Sequence, residues 1–408
     1  MPELTAPAVQ ADRSDRTGAR VVSVFALVGL LLAYNLGLNI TPILNGLWTE
    51  RLGLAPRQAG LVISAQFAMM AIATMITARL LQKLNVRRAA MVSAVGVGVA
   101  YVATGYAENP ALLALCFGLA GIGIGVQMAC VAALLSRHEK AERIYAIAVV
   151  LASFLIAGLT IAFASAAPDL SLHVLFVGLA IIPAAQFLLS FFIPRGCAPQ
   201  AAVNAKRAGE GEGEGTRRFP LVILSMVFMQ VGGMAVWAFT ERVGHQLGIP
   251  TATIGNILAA TAVSAIVGAA CAAALSRFHM RRPMAIIGLL VFGLSNLSIV
   301  GAPDMPIFTI ALLGQAFALT FTLPFLTAIA LEENDGGRTA ANGIGLAMLL
   351  GAISPYVAGW IAENHGLQAI VVFSGVALAA SVVPLLLRQM PKAAHASPVL
   401  DAASKQQL

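Results

Sequence analysis

The sequence predicts an all-α polytopic membrane protein of twelve transmembrane helices, arranged as two six-helix halves. Three observations carry that expectation. Of 408 residues, 59% are hydrophobic and only 11% charged, against about 45–50% and about 25% in ordinary soluble domains. Apolar runs of about 20 residues, the length that crosses a hydrocarbon core as a helix, recur along the chain. A basic hairpin, Leu81-Gln82-Lys83-Leu84-Asn85-Val86-Arg87-Arg88, returns half a chain later as Leu275-Ser276-Arg277-Phe278-His279-Met280-Arg281-Arg282, each copy lying between two apolar runs.

Taken in order, residues 1–20 are polar, carry Arg13, Arg16 and Arg20, and read as a disordered cytoplasmic tail. An N-terminal six-helix bundle covers 21–193, with helices expected near 21–45, 59–80, 88–106, 111–135, 143–167 and 172–193. The first run, from Val21 to Leu44, is too long for the core of a signal peptide and reads as a span. Residues 194–218 form a cytoplasmic linker, because the alternating Gly and Glu of 208–215 cannot bury a core. A C-terminal six-helix bundle covers 219–387, with helices near 219–241, 253–275, 283–302, 306–330, 339–362 and 367–387, and a polar cytoplasmic tail occupies 388–408. The two halves share more than the hairpin. Pro56 opens the second helix as Pro250 opens the eighth, and Arg143 precedes the fifth as Arg338 precedes the eleventh.

The charge distribution orients the chain. With both termini in the cytoplasm, only Arg51, Arg57 and Arg242 of the 25 Lys and Arg fall on the opposite side, the bias that keeps basic loops cytoplasmic. The net charge of +7 is therefore topological and no nucleic-acid footprint. The expected place is the inner (cytoplasmic) membrane, the expected partners a lipid bilayer and a small-molecule solute, and the expected unit a monomer. Cys116, Cys130 and Cys271 in apolar runs and Cys197 in a basic loop read as free thiols.

Chemistry-bearing residues are few. The spans hold almost no ionisable group, which would be costly in lipid, but do hold amides and hydroxyls: Asn35, Asn39, Gln66, Gln127, Gln230, Asn256, Gln315, Ser354 and Tyr356. Asn35 and Asn39 are four apart and share a helix face. Such residues either bind a polar solute or tie helices together. Trp237, Glu241 and Arg242 close the seventh helix, followed by His245, and read as an outer gate or proton site, or as an aromatic belt with solvated charges. Pro355, between Gly351 and Gly359, is a candidate hinge. No phosphate loop and no metal-ligand spacing is present, so no enzyme activity and no cofactor is expected. Gly121-Ile-Gly-Ile-Gly125 lies within a span and reads as helix packing.

Two six-helix halves, a long linker and the basic hairpin resemble the major facilitator superfamily over nearly the whole chain. Ala78, Leu80, Leu81, Gln82, Lys83, Asn85, Arg87 and Arg88 occupy the positions of its hairpin motif, with Gln82 where the family has aspartate. The resemblance implies alternating access between the halves, with helices 1, 4, 7 and 10 lining a cavity and 2, 5, 8 and 11 flanking it. It makes Lys83, Arg87, Arg88, Arg277, Arg281, Arg282 and Arg338 a cytoplasmic gate, the other reading being topology alone. Two residues depart from the family's proton-driven exporters: Phe117 stands where they carry arginine, and the helix around Ala152–Gly158 lacks their proline. These departures weaken the exporter reading, and the expected function is that of a secondary active transporter taking up a small organic solute with a proton, Glu241 being the candidate titrating group. Efflux of amphipathic compounds, through a pocket of Trp237, Phe239, Phe154 and Met348, is the alternative. A non-transporting receptor or scaffold is the remote one.

Overall fold

A computed structural model describes the backbone of residues 6–81, 85–135, 141–193, 221–278, 280–333 and 338–387, with side chains from residue 24 onward except at 141–143, 331–333 and 338–342. The described residues form twelve long helices. In the first half these are α1 (Ala6–Leu52), α2 (Pro56–Leu80), α3 (Val86–Gly105), α4 (Pro110–Leu135), α5 (Ala141–Ala166) and α6 (Leu172–Leu189). The second half has α7 (Leu221–Gln246), α8 (Thr251–Leu275), α9 (Arg281–Val300), α10 (Met305–Glu333), α11 (Arg338–His365) and α12 (Ile370–Leu387). Each contains a stretch long and apolar enough to cross a membrane.

The ends of these helices follow from local chemistry. Pro56 supplies the fixed φ of the first turn of α2. The Asn85 side chain caps α3 by accepting from the amides of Arg87 at 3.0 Å and Arg88 at 3.5 Å. Gly53, at φ 63°, ends α1, and Gly248, at φ 73°, ends α7. Both lie in the left-handed region that glycine enters without strain, and they are equivalent positions in the two halves.

One boundary differs from expectation. Residues 6–20, expected as disordered tail, continue α1, which ends only at Leu52 rather than near residue 45. Ala, Gln and Arg in 8–20 are good helix formers with no proline among them, and the polar Asn45 and Thr49 are held by neighbours. The expected linker and C-terminal tail lie outside the described residues.

The hairpins define one end of the bundle, here the basic end; the loops after α1, α7 and α11 lie at the opposite end. Within the first half, Gly121 and Gly125 let α4 press against α2, where a Cβ would overlap the carbonyls of Gln66 and Met70. Between the halves α2 packs on α11, α5 on α8, and α1 on α7. The buried apolar side chains divide unevenly. One cluster joins the first half to the opposite-end parts of α7, α8, α10 and α11, including Val236, Phe239, Ile254, Phe308 and Ala358. The basic-end parts of the second half form a separate cluster around Met226, Leu289, Phe325 and Leu385. The buried apolar core is thus shared by the halves at the opposite end and divided toward the basic end, where Met75 of α2 still meets Gly345 of α11.

Candidate functional site

The seam between α1 and α7 is built from two helical stripes. Gln230, Met234, Trp237, Glu241 and His245 recur at spacings of three or four and so share one face of α7. On α1 the facing stripe is Asn35, Leu38, Pro42, Asn45 and Thr49. Pro42 has no N–H, which deprives the carbonyl of Leu38, four residues back, of its helical donor. Trp237 fills that need from the other half, its Nε1 donating to the Leu38 carbonyl at 3.1 Å. One turn further out, the Asn45 amide donates to the Ala238 carbonyl. Next, Gly46 sits against the Glu241 carboxylate so closely that any side chain at 46 would overlap it.

Below this roof, toward the basic end, Asn35, Asn39, Gln230 and Met234 are all half-buried. Asn35 and Asn39 donate back to their own helix, to the carbonyls of Leu31 at 3.0 Å and Asn35 at 2.9 Å. Their Oδ1 atoms are left as acceptors. Gln230 packs its Cβ toward Gly351 of α11, and its amide has no hydrogen-bond partner among the described residues. An amide with both donor and acceptor open, opposite two amide oxygens, suits a polar solute that both gives and takes hydrogen bonds.

Above the roof, Glu50, Glu241, Arg242 and His245 line a cavity of about 410 Å3 with Gly46 and Thr49. Glu241 is only 1% exposed. Its Oε1 lies 2.9 Å from His245 Nε2, which is also 2.9 Å from Thr251 Oγ1 and 3.8 Å from Glu50. Glu241 Oε2 and Arg242 Nη1 are buried without a partner, a costly arrangement for charged groups. The Arg242 guanidinium lies over the Phe239 ring at 5.9 Å.

Other expected site residues fall elsewhere. Gln127 donates to Gln186 of α6 at 2.7 Å, and Gln186 to the Ala90 carbonyl of α3 at 3.4 Å, so this amide ties the first half together. Gln315 does the same in the second, donating to Asn296 of α9 at 2.7 Å. Gln66 is fully buried in the first half beside Gly37, with both amide atoms unpaired. Asn256 is exposed on α8. Ser354 is buried and donates to the Gly351 carbonyl at 2.7 Å, the carbonyl that Pro355 leaves without a donor. The Tyr356 amide donates to Ser64 of α2 at 3.0 Å while its ring is exposed. Pro355 therefore sits in a tight α2–α11 knuckle, its carbonyl against Gly60.

At the basic end, the Arg87 guanidinium lies over the Phe191 ring at 5.1 Å, that of Arg277 lies over Phe278 at 4.9 Å, and Arg282 donates to the Leu386 carbonyl at 3.1 Å. Arg88 is exposed and Arg281 half-buried. Lys83 and the Arg338 side chain lie outside the described residues. The expected greasy pocket is not assembled, since Phe239 is enclosed in the core and Phe154 is 63% exposed. Sequence reasoning passed over Leu38, Asn45, Gly46 and Ser64. For Leu38 the signal was present, four residues before Pro42. No group of three or more metal-ligating side chains occurs among the described residues.

The chain matches the family described as Major Facilitator Superfamily twice, over residues 25–240 and 221–406. Among solved structures it is similar to a D-xylose-proton symporter, with TM-score 0.68, 14% identity, and coverage of 90% of this chain and 96% of that one. It is also similar to the nucleoside transporter NupG, with TM-score 0.64, 13% identity and coverage of 91% and 100%. The human organic anion transporter MFSD10 (TETRAN) gives TM-score 0.64, 16% identity and coverage of 90% and 99%. Identities this low establish the fold alone. Among curated proteins none matches significantly.

Proposed function

The chain belongs to the Major Facilitator Superfamily, a multi-pass membrane protein of a transporter family, and on that premise we propose that it is a secondary active transporter taking up a small polar organic solute with protons. The basic end faces the cytoplasm, both termini lie there, and the membrane is the cytoplasmic one. One chain holds both halves and is the working unit. The observation that carries this reading is the one-sided seam. The half-buried amides of Asn35, Asn39 and Gln230 lie beneath a roof closed by Trp237, Asn45 and Gly46, with the core divided on the cytoplasmic side.

Alternating access then follows from what the roof is made of. Two neutral hydrogen bonds cross it, and each is worth about 1 kcal/mol net. These bonds add to an apolar core shared by both halves, and transport requires open and closed forms close enough in free energy for solute and proton to shift the balance. In the closed form the Glu241 carboxyl is shut against Gly46 with His245 as its partner and Glu50 and Arg242 beside it. Enclosed in this way it is held from bulk water; opening exposes it, and there it exchanges a proton. The α2–α11 knuckle at Gly60 and Pro355 is the pivot, and the basic clusters, Arg87 and Arg88 in one half and Arg277, Arg281 and Arg282 in the other, lie at the cytoplasmic ends of their helices.

Proteoliposomes test this directly. A broad solute library is first screened by thermal shift, because a ligand that binds only the folded state raises the apparent Tm. Uptake of each hit is then measured with and without an imposed pH gradient. Accumulation of a sugar, nucleoside or amino acid driven by inward proton flow is the expected result. Extrusion of lipophilic cations instead would overturn the uptake reading.

A further inference from the structure

On the outer face of the first half, α3 and α6 leave an apolar groove of about 710 Å3, far from the seam. Its walls are small and smooth on α3, with Ala94, Gly98 and Ala103, and include Pro183 and Phe187 on α6. The groove does not stop at the apolar zone. Arg87 stands on the same α3 stripe as Ala94, Gly98 and Val102, at spacings of seven, four and four. Its guanidinium lies over Phe191, and Phe191 meets Phe187 edge to face at 5.5 Å, so an unbroken wall runs from the cation into the groove. Arg88 beside it is exposed, and neither arginine is in an ion pair among the described residues.

We propose that this groove binds one anionic glycerophospholipid, its phosphate on Arg87 and Arg88 and an acyl chain along Gly98. The dimensions agree. Ala94 and Gly98 lie about 10 Å and about 16 Å below Arg87 at 1.5 Å per residue, and one leaflet of the hydrocarbon core is about 15 Å deep, so a chain anchored at Arg87 reaches about to the level where Gly98 faces Pro183. The charges agree too, because a paired cation at the membrane surface attracts anionic headgroups. The bound lipid would clasp α3 to α6, whose polar tie at this end, from Gln186 to the Ala90 carbonyl, is a long 3.4 Å.

The experiment is a lipid titration of the purified full chain in detergent, read by native mass spectrometry and by Tm. Phosphatidylglycerol should be retained as one lipid per chain and raise Tm, while phosphatidylcholine, inorganic phosphate and a short-chain phosphatidylglycerol should not. Arg87→Gln with Arg88→Gln should weaken retention about thirtyfold. Gly98→Leu, which fills the groove and keeps both arginines, should abolish it. Arg277→Gln, in the other hairpin, should leave it unchanged. Equal binding of phosphatidylcholine, equal loss with Arg277→Gln, retention despite Gly98→Leu, or a second protein chain in place of the lipid would each overturn the assignment.

Discussion

The same two helices, α1 and α7, make both ends of the seam, yet the ends differ in kind. At the opposite end they are joined by one indole, one amide and one glycine, and the surrounding apolar core is continuous across both halves. Toward the basic end the core of the second half is separate, and Asn35 and Gln230 are half-buried. The lesson is that the closed end is sealed by a shared apolar core and registered by a few specific contacts between α1 and α7.

The most drastic way to break the contrast is at Gly46. Gly46→Leu puts a side chain where the Glu241 carboxylate lies, so the roof cannot close; transport should fall roughly a hundredfold, and an impermeant thiol reagent added from outside should label Met234→Cys, below the roof, faster in this background. Next, Asn35→Leu with Gln230→Leu removes the open amides beneath the roof. Solute transport should be abolished while membrane insertion is intact, and unchanged transport would remove these residues from the binding site. Glu241→Gln keeps the shape of the roof and removes the titratable group. It should leave downhill exchange and erase the dependence on a pH gradient; a retained dependence would move the proton site elsewhere.

A smaller effect is expected from Trp237→Phe, which loses the bond to the Leu38 carbonyl. At about 1 kcal/mol it should shift the open-to-closed ratio about fivefold, read by the same labelling of Met234→Cys. The least effect on transport should come from Gln127→Leu. It leaves Gln186 Oε1 without its donor in the interior of the first half, lowering thermal stability by about 1–3 kcal/mol while KM for the solute stays within a factor of about two. A large change in KM would return Gln127 to the solute path.

The contrast between Gln230 and Gln127 also explains what could be read from the chain. Both are lone amides in apolar spans, and both were candidates for the solute site. An amide in a span announces only that it needs a partner, whether solute or neighbouring helix. In a soluble helix the polar face would reveal the rotation; here lipid and protein interior are equally apolar and the pattern carries no such sign. Gln127 and Gln315 therefore turned out to face within their own halves, while Gln230 lies on the stripe of Trp237.

The three cations that break the positive-inside pattern make the same point. Arg51 donates to the carbonyls of Ala167, Pro168 and Leu170 beyond α5. Arg57 lies 3.8 Å from Glu363 of α11 across the halves, and Arg242 lines the cavity above the roof. Sequence placed them on the minority side; only the contacts gave them local roles.

By itself, then, the sequence determined the membrane class, the number of spans and the duplication, because hydropathy, loop charge and helix-ending residues such as Gly53 and Gly248 are local properties. It also held the α7 stripe and the carbonyl freed by Pro42, which follow from helix periodicity and from the chemistry of proline. Tertiary structure alone decided which amides face the seam, that Gly46 shuts on Glu241, and that one end is closed. Those depend on how each helix is rotated and how the halves tilt, and apolar surfaces facing lipid or protein leave that choice to packing.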